Sequence, residues 1–464
     1  HKFQKPRSTE LLLARAGEMS LRAGRPADAR DRIEAAIGIY DELGDSEGTA
    51  RIGLLLSNVD VGQGRLIEAE RRLEAALASL EPAGPSPELA ATLASLGRMQ
   101  ILRGEEHPAS ENIERALRLA EALALEEVIV DALTTRGVAL TFQGRHVESV
   151  LILEGALGRA REAELHAPQR RAYSNLLVVM MDAGRFTDAL GLIQESEAHA
   201  RQRGDRDALV DSLLSAVAPL GALGRWEEVL ARVAEADEME ASMWARSERL
   251  PVVDILCDRG EVDRARVVLE EHEAARHAEQ RDIAAAFAAA EARLLCAEQR
   301  YPEARAAAER GLSHADALGG IFTSTVRLCL FQAIEATLAL DDLDDAERML
   351  DAIDRLMPGQ LFPVVRAPGL SLRARVDARR GNLDDAEREL EAAERLFAGE
   401  GMVFGVARTQ IERAELLAGR DRLEEAGDLA ARSRETFERL RATPWVARAD
   451  GLRAPELAPS GSSA

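Results

Sequence analysis

Apolar positions along this 464-residue chain recur at helical spacing, in blocks that repeat. Residues 46–62 (SEGTARIGLLLSNVDVG) place Ile52, Leu55, Leu56 and Val59 on one face of a helix. Gly64 then predicts the left-handed residue that ends a helix without steric cost. Arg65 and Leu66 cross the turn, and Glu68, Ala69, Leu73, Ala76 and Leu77 begin a second amphipathic helix. The predicted product is an antiparallel helical hairpin with a short connector to the next.

The same turn starts at Gly24, Gly64, Gly104, Gly144, Gly184 and Gly224, at intervals of 40 residues. Weaker or shifted copies follow at Gly260, Gln299, Asp341, Gly381 and Asp421. Such a period marks a solenoid, in which one supersecondary unit stacks on copies of itself. The turn's fifth position is acidic in nine of the eleven copies, from Asp28 and Glu68 to Glu425. A carboxylate there complements the partial positive charge of a helix start. The sixth position is Ala in nine copies, small enough for the two helices of a hairpin to approach closely.

The expected fold is therefore all-α: a right-handed α-α superhelix of eleven helical hairpins with a C-terminal capping helix. Predicted helix pairs cover 8–43, 46–80, 86–123, 126–163, 166–203 and 206–240, then 243–278, 280–318, 321–357, 367–398 and 401–440. Two irregularities divide the array into an expected N-terminal part, 1–240, and a C-terminal part, 241–440. Pro251 falls inside a predicted first helix, and Pro358, Pro363 and Pro368 predict a loop over 357–369. A capping helix is expected within 441–454, with Trp445 and Val446 covering the end of the stack. The tail 455–464 reads as disordered by composition.

Composition narrows the function. The formal charge is −22, from 81 acidic and 59 basic residues, and no basic stripe stands out beyond Lys2, Lys5 and Arg7. With three Trp, three Tyr and ten Phe, neither phosphate tracking nor base stacking is supported, so no nucleic-acid partner is expected. Lysine occurs only at positions 2 and 5, which removes any phosphate-binding loop of the Gly-x4-Gly-Lys type. Cys257, Cys296 and Cys329 form no CxxC and read as small core residues of a protein from a reducing cytoplasm. No uncharged apolar run reaches membrane-spanning length, so no membrane association is expected. The opening residue His1 suggests a piece of a longer parent.

Catalytic constellations are not evident. His272 and His277 are five residues apart, which on one helix points the imidazoles in divergent directions and predicts a solvated face rather than a metal site. No GxSxG elbow or Ser/His/Asp ordering is found. The expectation is a non-enzyme without catalytic residues, cofactor or metal.

The turn-centred signature resembles the tetratricopeptide repeat, most clearly at Leu96-Gly97…Gly104…Ala109…Ala116 and at Gly381-Asn382-Leu383-Asp384-Asp385-Ala386. The period is nearer 40 than 34 residues and most aromatic positions are aliphatic here. Longer units of this kind resemble the C-terminal arrays of bacterial LuxR-type ATP-binding regulators and of ATPase-fused class III cyclases. The opening LLLARAGEMSLRAGRPADARDRIEAAI, the phrase Glu42-Leu43-Gly44-Asp45 and the closing FERLRATPWVARADGLRA carry that likeness.

The resemblance implies that each first helix lines a concave groove through positions 13, 10, 9 and 6 residues before the turn start. In the middle repeats these include Asp131, Thr134 and Thr135, then Arg171, Ser174 and Asn175, then Asp211 and Ser215, a polar strip flanked by Ala91, Ala94, Ala286, Ala289 and Ala290. Arg171 is placed to tie the Asp rows together, or to join a recognition strip. The expected function is a protein-interaction or regulatory sensor solenoid of a bacterial signalling or transcription-regulatory protein. Its partner would be a protein, a peptide or an attached output domain. The alternatives are an accessory array of an upstream cyclase or ATPase and a small-molecule inducer-binding array.

Overall fold

The computed structural model describes residues 9–22, 26–62, 65–239, 247–357 and 360–452. Every regular element among them is an α-helix or a short 3-10 turn. The pairs run from Thr9–Arg22 with Pro26–Leu43 to Val403–Ala418 with Leu423–Leu440, followed by a short helix Thr443–Asp450. Among the described residues, the predicted turn starts are the observed ones.

Its corners explain why. All nine described turn starts have positive φ, from 71° to 86° at Gly104, Gly144, Gly184, Gly224, Gly260 and Gly381. Gln299, Asp341 and Asp421 adopt the same conformation at 60–62° despite their side chains. Gly24 and Gly64 lie outside the described residues. A second left-handed series marks the connectors, at Gly44, Gly84, Ala124, Glu164 and Gly204 and again at Gly401 and Arg441. Where both series are present, a repeat reverses twice through one left-handed residue, which ends the helix by closing bonds to its last carbonyls.

The sixth-position alanines Ala29, Ala69, Ala109, Ala189, Ala265, Ala304, Ala346, Ala386 and Ala426 are all 0–1% exposed. They sit where the paired helices meet. Ser149 replaces Ala in one repeat and is also buried, donating to Gly137 O at 2.7 Å. The fifth-position acids frequently pair with the arginine three residues earlier: Arg185 with Asp188 at 2.8 Å, Arg225 with Glu228 at 2.6 Å. These pairs are exposed and screened, so they contribute little to stability.

Prolines behave differently from the expectation. Pro251 directly precedes the short helix Val252–Arg259, at whose start its missing N–H costs nothing. The predicted loop 357–369 is shorter than expected, because Pro363 begins the helix Pro363–Arg380 and Pro368 lies within it. Pro358 lies outside the described residues. Pro219 divides another first helix into Arg206–Ser215 and Val217–Ala222, since it cannot donate to the Ser215 carbonyl one turn earlier. The expected coverage by the first eight residues, the tail 455–464 and the end of the cap beyond Leu452 falls outside the described residues.

The chain forms two compact units. The first comprises residues 1–179, 277–281 and 316–319; the second comprises 180–276, 282–315 and 320–464. Within each, hairpins stack side by side as a repeat solenoid. In the first unit, Glu279 accepts a bond from Leu66 N at 2.9 Å and so caps the helix Leu66–Leu80, which has no side-chain cap of its own. In the second, Asp182 does the same for Ser324–Ala339: its Oδ1 accepts from Ser324 N at 2.8 Å, and its carbonyl accepts from Arg327 at 3.3 Å. Distant segments are therefore joined inside each unit by carboxylates at helix starts.

The capping helix has a defined seat in the second unit. Trp445 packs at 5.5 Å from both Phe404 and Phe437, and Phe404 reaches Trp226 at 5.1 Å. Its indole N–H donates to Asp258 at 3.1 Å, and Arg448 lies 5.2 Å over its ring. Edge and tilted contacts of this kind add to the area they bury.

Corner chemistry supplies a stability test. Gly381 faces open space, so Gly381→Ala is expected to lower stability by about 1 kcal/mol through conformation alone. At Gly104 a Cβ would lie 2.6 Å from the Ala317 backbone, and Gly104→Ala should cost clearly more. Gln299→Gly removes a strained side chain and should leave stability equal or higher. Urea denaturation of the three variants measures all three; equal losses at Gly104 and Gly381 would contradict the close approach of Ala317.

Candidate functional site

The polar strip on the first helices begins as helix chemistry. Thr134 and Thr135 turn their hydroxyls back onto the carbonyls of Val130 and Asp131, at 2.8 and 3.0 Å, and both are buried. Ser174 does likewise to Arg170 O at 3.1 Å, and the Asn175 amide donates to Arg171 O at 2.8 Å. Arg171 joins two repeats. Its Nη1 donates to Asp131 O at 2.7 Å and to Asp131 Oδ1 at 3.1 Å, and its Nη2 reaches Thr135 Oγ1 at 2.5 Å. Side-chain exposure is 16% for Arg171 and 40% for Asp131, so this wall is ordered yet reachable.

These six residues belong to the first unit. Asp211 and Ser215 belong to the second, on the helix that Pro219 interrupts. Both are half-buried there.

A further register of charges was not singled out among the candidate residues. Six positions before the turn start, the last five repeats of the second unit alternate in sign: Asp254, Arg293, Glu335, Arg375, Glu415. Each holds an ion partner. Arg293 bonds Asp258 at 2.7 Å and stands 3.7 Å from Asp254. Glu335 lies between Arg375 and Arg408 and pairs with both. Arg448 grips Glu415 with two bonds of 2.5 Å. Glu412, beside Arg408 at 3.2 Å, also accepts from Ser371 at 2.6 Å. The sign alternation was available in the sequence, but only when the repeats are read against one another at a single position.

Burial governs the electrostatics. It would by itself raise the Glu335 carboxyl, yet Arg375 and Arg408 override it and hold the group well below the usual carboxylate range. Asp254 is instead pushed up to about 6, because burial outweighs the distant Arg293 and Asp258 adds repulsion. Glu248 rises to about 7 through burial and the charges of Asp282 and Asp211, and Asp282 itself rises to about 6 through burial. The second unit thus contains both a neutralised charge lattice and carboxyls raised mainly by burial.

In the first unit Arg98 occupies the same register, six residues before Gly104. Burial, then repulsion from Arg171, lowers its guanidinium to about 9, with partial relief from Asp131. Among the described residues it has no hydrogen-bond or ion-pair partner.

The histidine pair corrects an expectation. His272 is buried, with Nδ1 2.6 Å from Val268 O, rather than on a solvated face. Its helix stops at Glu271 and a 3-10 turn, Glu273–His277, follows, so one helical face does not hold both rings. Cys257 and Cys329 are buried and Cys296 is half-buried; burial pushes the thiols up to about 12, 12 and 11 respectively. Among the described residues, no group of three or more His, Cys, Asp and Glu is arranged to hold a metal ion. No described helix is long and apolar enough to cross a membrane.

No protein-family model matches the chain, and no curated protein matches it. Solved structures do. The crystal structure of yeast Tom70 aligns with a TM-score of 0.39 and 13% sequence identity, over 96% of this chain and 100% of that one.

Two substitutions test the electrostatics. Glu335→Gln leaves two arginines without their shared charge and should lower stability by about 3 kcal/mol at neutral pH. Glu248→Gln should do the opposite. A carboxyl raised to about 7 destabilises the fold as pH climbs from the ordinary Glu value near 4.3 toward 7, and the full cost persists above that. The variant should therefore melt higher than the parent at pH 8 and equal to it at pH 4. A pH-independent difference between their melting curves would contradict this assignment.

Proposed function

We propose that this chain is a protein- or peptide-binding scaffold, acting as a regulatory sensor in a bacterial signalling or transcription-regulatory protein. The partner, or an attached output domain of the parent, docks on the inner first helices around Asp131, Thr135, Arg171, Ser174 and Asn175. In the second unit, taken by itself, Asp211 and Ser215 are proposed as docking residues of the same kind. The observation that carries it is the interlocked wall: Arg171 is fixed by three bonds, while Asp131 remains 40% exposed. Polar groups ordered before a partner arrives lose less entropy when it binds. Free thiols suit a reducing cytoplasm, where we place the protein.

The test uses the whole chain as bait, followed by affinity measurement for the captured partner. Arg171→Ala combined with Asn175→Ala should weaken binding by about tenfold or more while circular dichroism stays helical. Unchanged affinity would remove this wall from the docking site.

A further inference from the structure

The seat of the short helix Thr443–Asp450 is assembled in the second unit from residues far apart in sequence. Phe404 packs against Trp226 at 5.1 Å and against Phe437 at 5.9 Å. Trp445 lies on this aromatic floor and gives its indole N–H to Asp258 at 3.1 Å. One turn on, Arg448 donates twice to Glu415, and Asp450 accepts from Arg434 at 2.7 Å. The seat therefore reads two features of its occupant: an aromatic ring bearing a donor, and a cation three residues later. Its occupant is lightly held. Within the helix only Ala449 is buried, and Trp445 is half-buried. Arg448 and Glu415 are 37% and 38% exposed, so water screens their attraction. Eight residues are too few to stay helical in water without packing. Arg441, just before the helix, holds a left-handed φ of 59° with a full side chain, a strained joint.

The seat keeps its own order when the helix leaves. Asp258 retains Arg293 at 2.7 Å, Arg408 retains Glu335 and Glu412, and the Trp226 N–H stays on Gly221 O at 3.0 Å. What opens is a set of aromatic faces between two carboxylates, Asp258 and Glu415. We propose that this seat is an interaction surface for a helix of another protein that presents tryptophan and, three residues later, arginine, with the chain's own helix 443–450 as its competitor. Charge complementarity selects that partner: two acids accept an indole N–H and a guanidinium and repel an acidic helix. Tryptophan and arginine are also the side chains that dominate binding energy when they enter such pockets. The resident helix lowers the partner's apparent affinity by the fraction of time it holds the seat. This surface stands independently of the strip around Arg171.

A fluorescent peptide of residues 441–452, titrated into the whole chain and followed by anisotropy, supplies the probe. Trp445→Ala combined with Arg448→Ala empties the seat and should bind the peptide about tenfold tighter or more than the parent does. Adding Glu415→Gln to that variant, or alanine for tryptophan in the peptide, should each weaken binding by about tenfold or more. Hydrogen exchange of the unaltered chain gives a reading that does not depend on the variant's folding. Residues 443–450 should exchange about tenfold faster or more than 423–440, because the end helix opens by itself. Excess unlabelled peptide should speed them further. The proposal is overturned if the emptied seat takes no peptide, if binding ignores the tryptophan, or if 443–450 exchange no faster than 423–440. Dimers of the parent in sedimentation would name a second copy's helix as the occupant and overturn the assignment to another protein.

Discussion

A single left-handed residue at each described turn start is the constraint on which the rest depends. It stops the first helix, reverses the chain within three residues and delivers a buried alanine to the contact between the paired helices. Once that corner is fixed, the angular position of every first-helix residue follows from its distance to the corner. The exposed face of the first helices is therefore a set of sequence positions, and its chemistry can be altered repeat by repeat without disturbing the stack. Nature has used that freedom in opposite ways in the two units. The second fills the register with alternating charges that neutralise one another, whereas the first leaves Arg98 unmatched beside a hydrogen-bonded polar strip.

Local signals in the sequence were read correctly because the corner is a local event. Glycine spacing, the helix-start acids and the small sixth position each act within a few residues, and Gln299, Asp341 and Asp421 could be placed in register although they are not glycine. Prolines misled for a related reason. Pro251 and Pro363 are compatible with helix starts as well as loops, and only the packing of the following residues decides between them.

What remained hidden depends on comparison or on distance. The alternation of Asp254, Arg293, Glu335, Arg375 and Glu415 is invisible within one repeat and plain across five. Asp182 capping Ser324, and Glu279 capping Leu66, join residues more than a hundred positions apart with no periodic signature. Trp445 was expected at the end of the stack. Its indole also donates to Asp258 and is flanked by Phe404 and Phe437, contacts with residues distant in sequence that no local pattern announces.

The account's central claim is that ligands meet this protein on its first helices. Hydrogen–deuterium exchange, with and without a bound partner, addresses it directly. Slowed exchange is expected along residues 87–103, 126–142 and 166–179, with the second helices 106–122 and 146–162 unchanged. Protection confined to those second helices would place recognition on the opposite face and contradict the account.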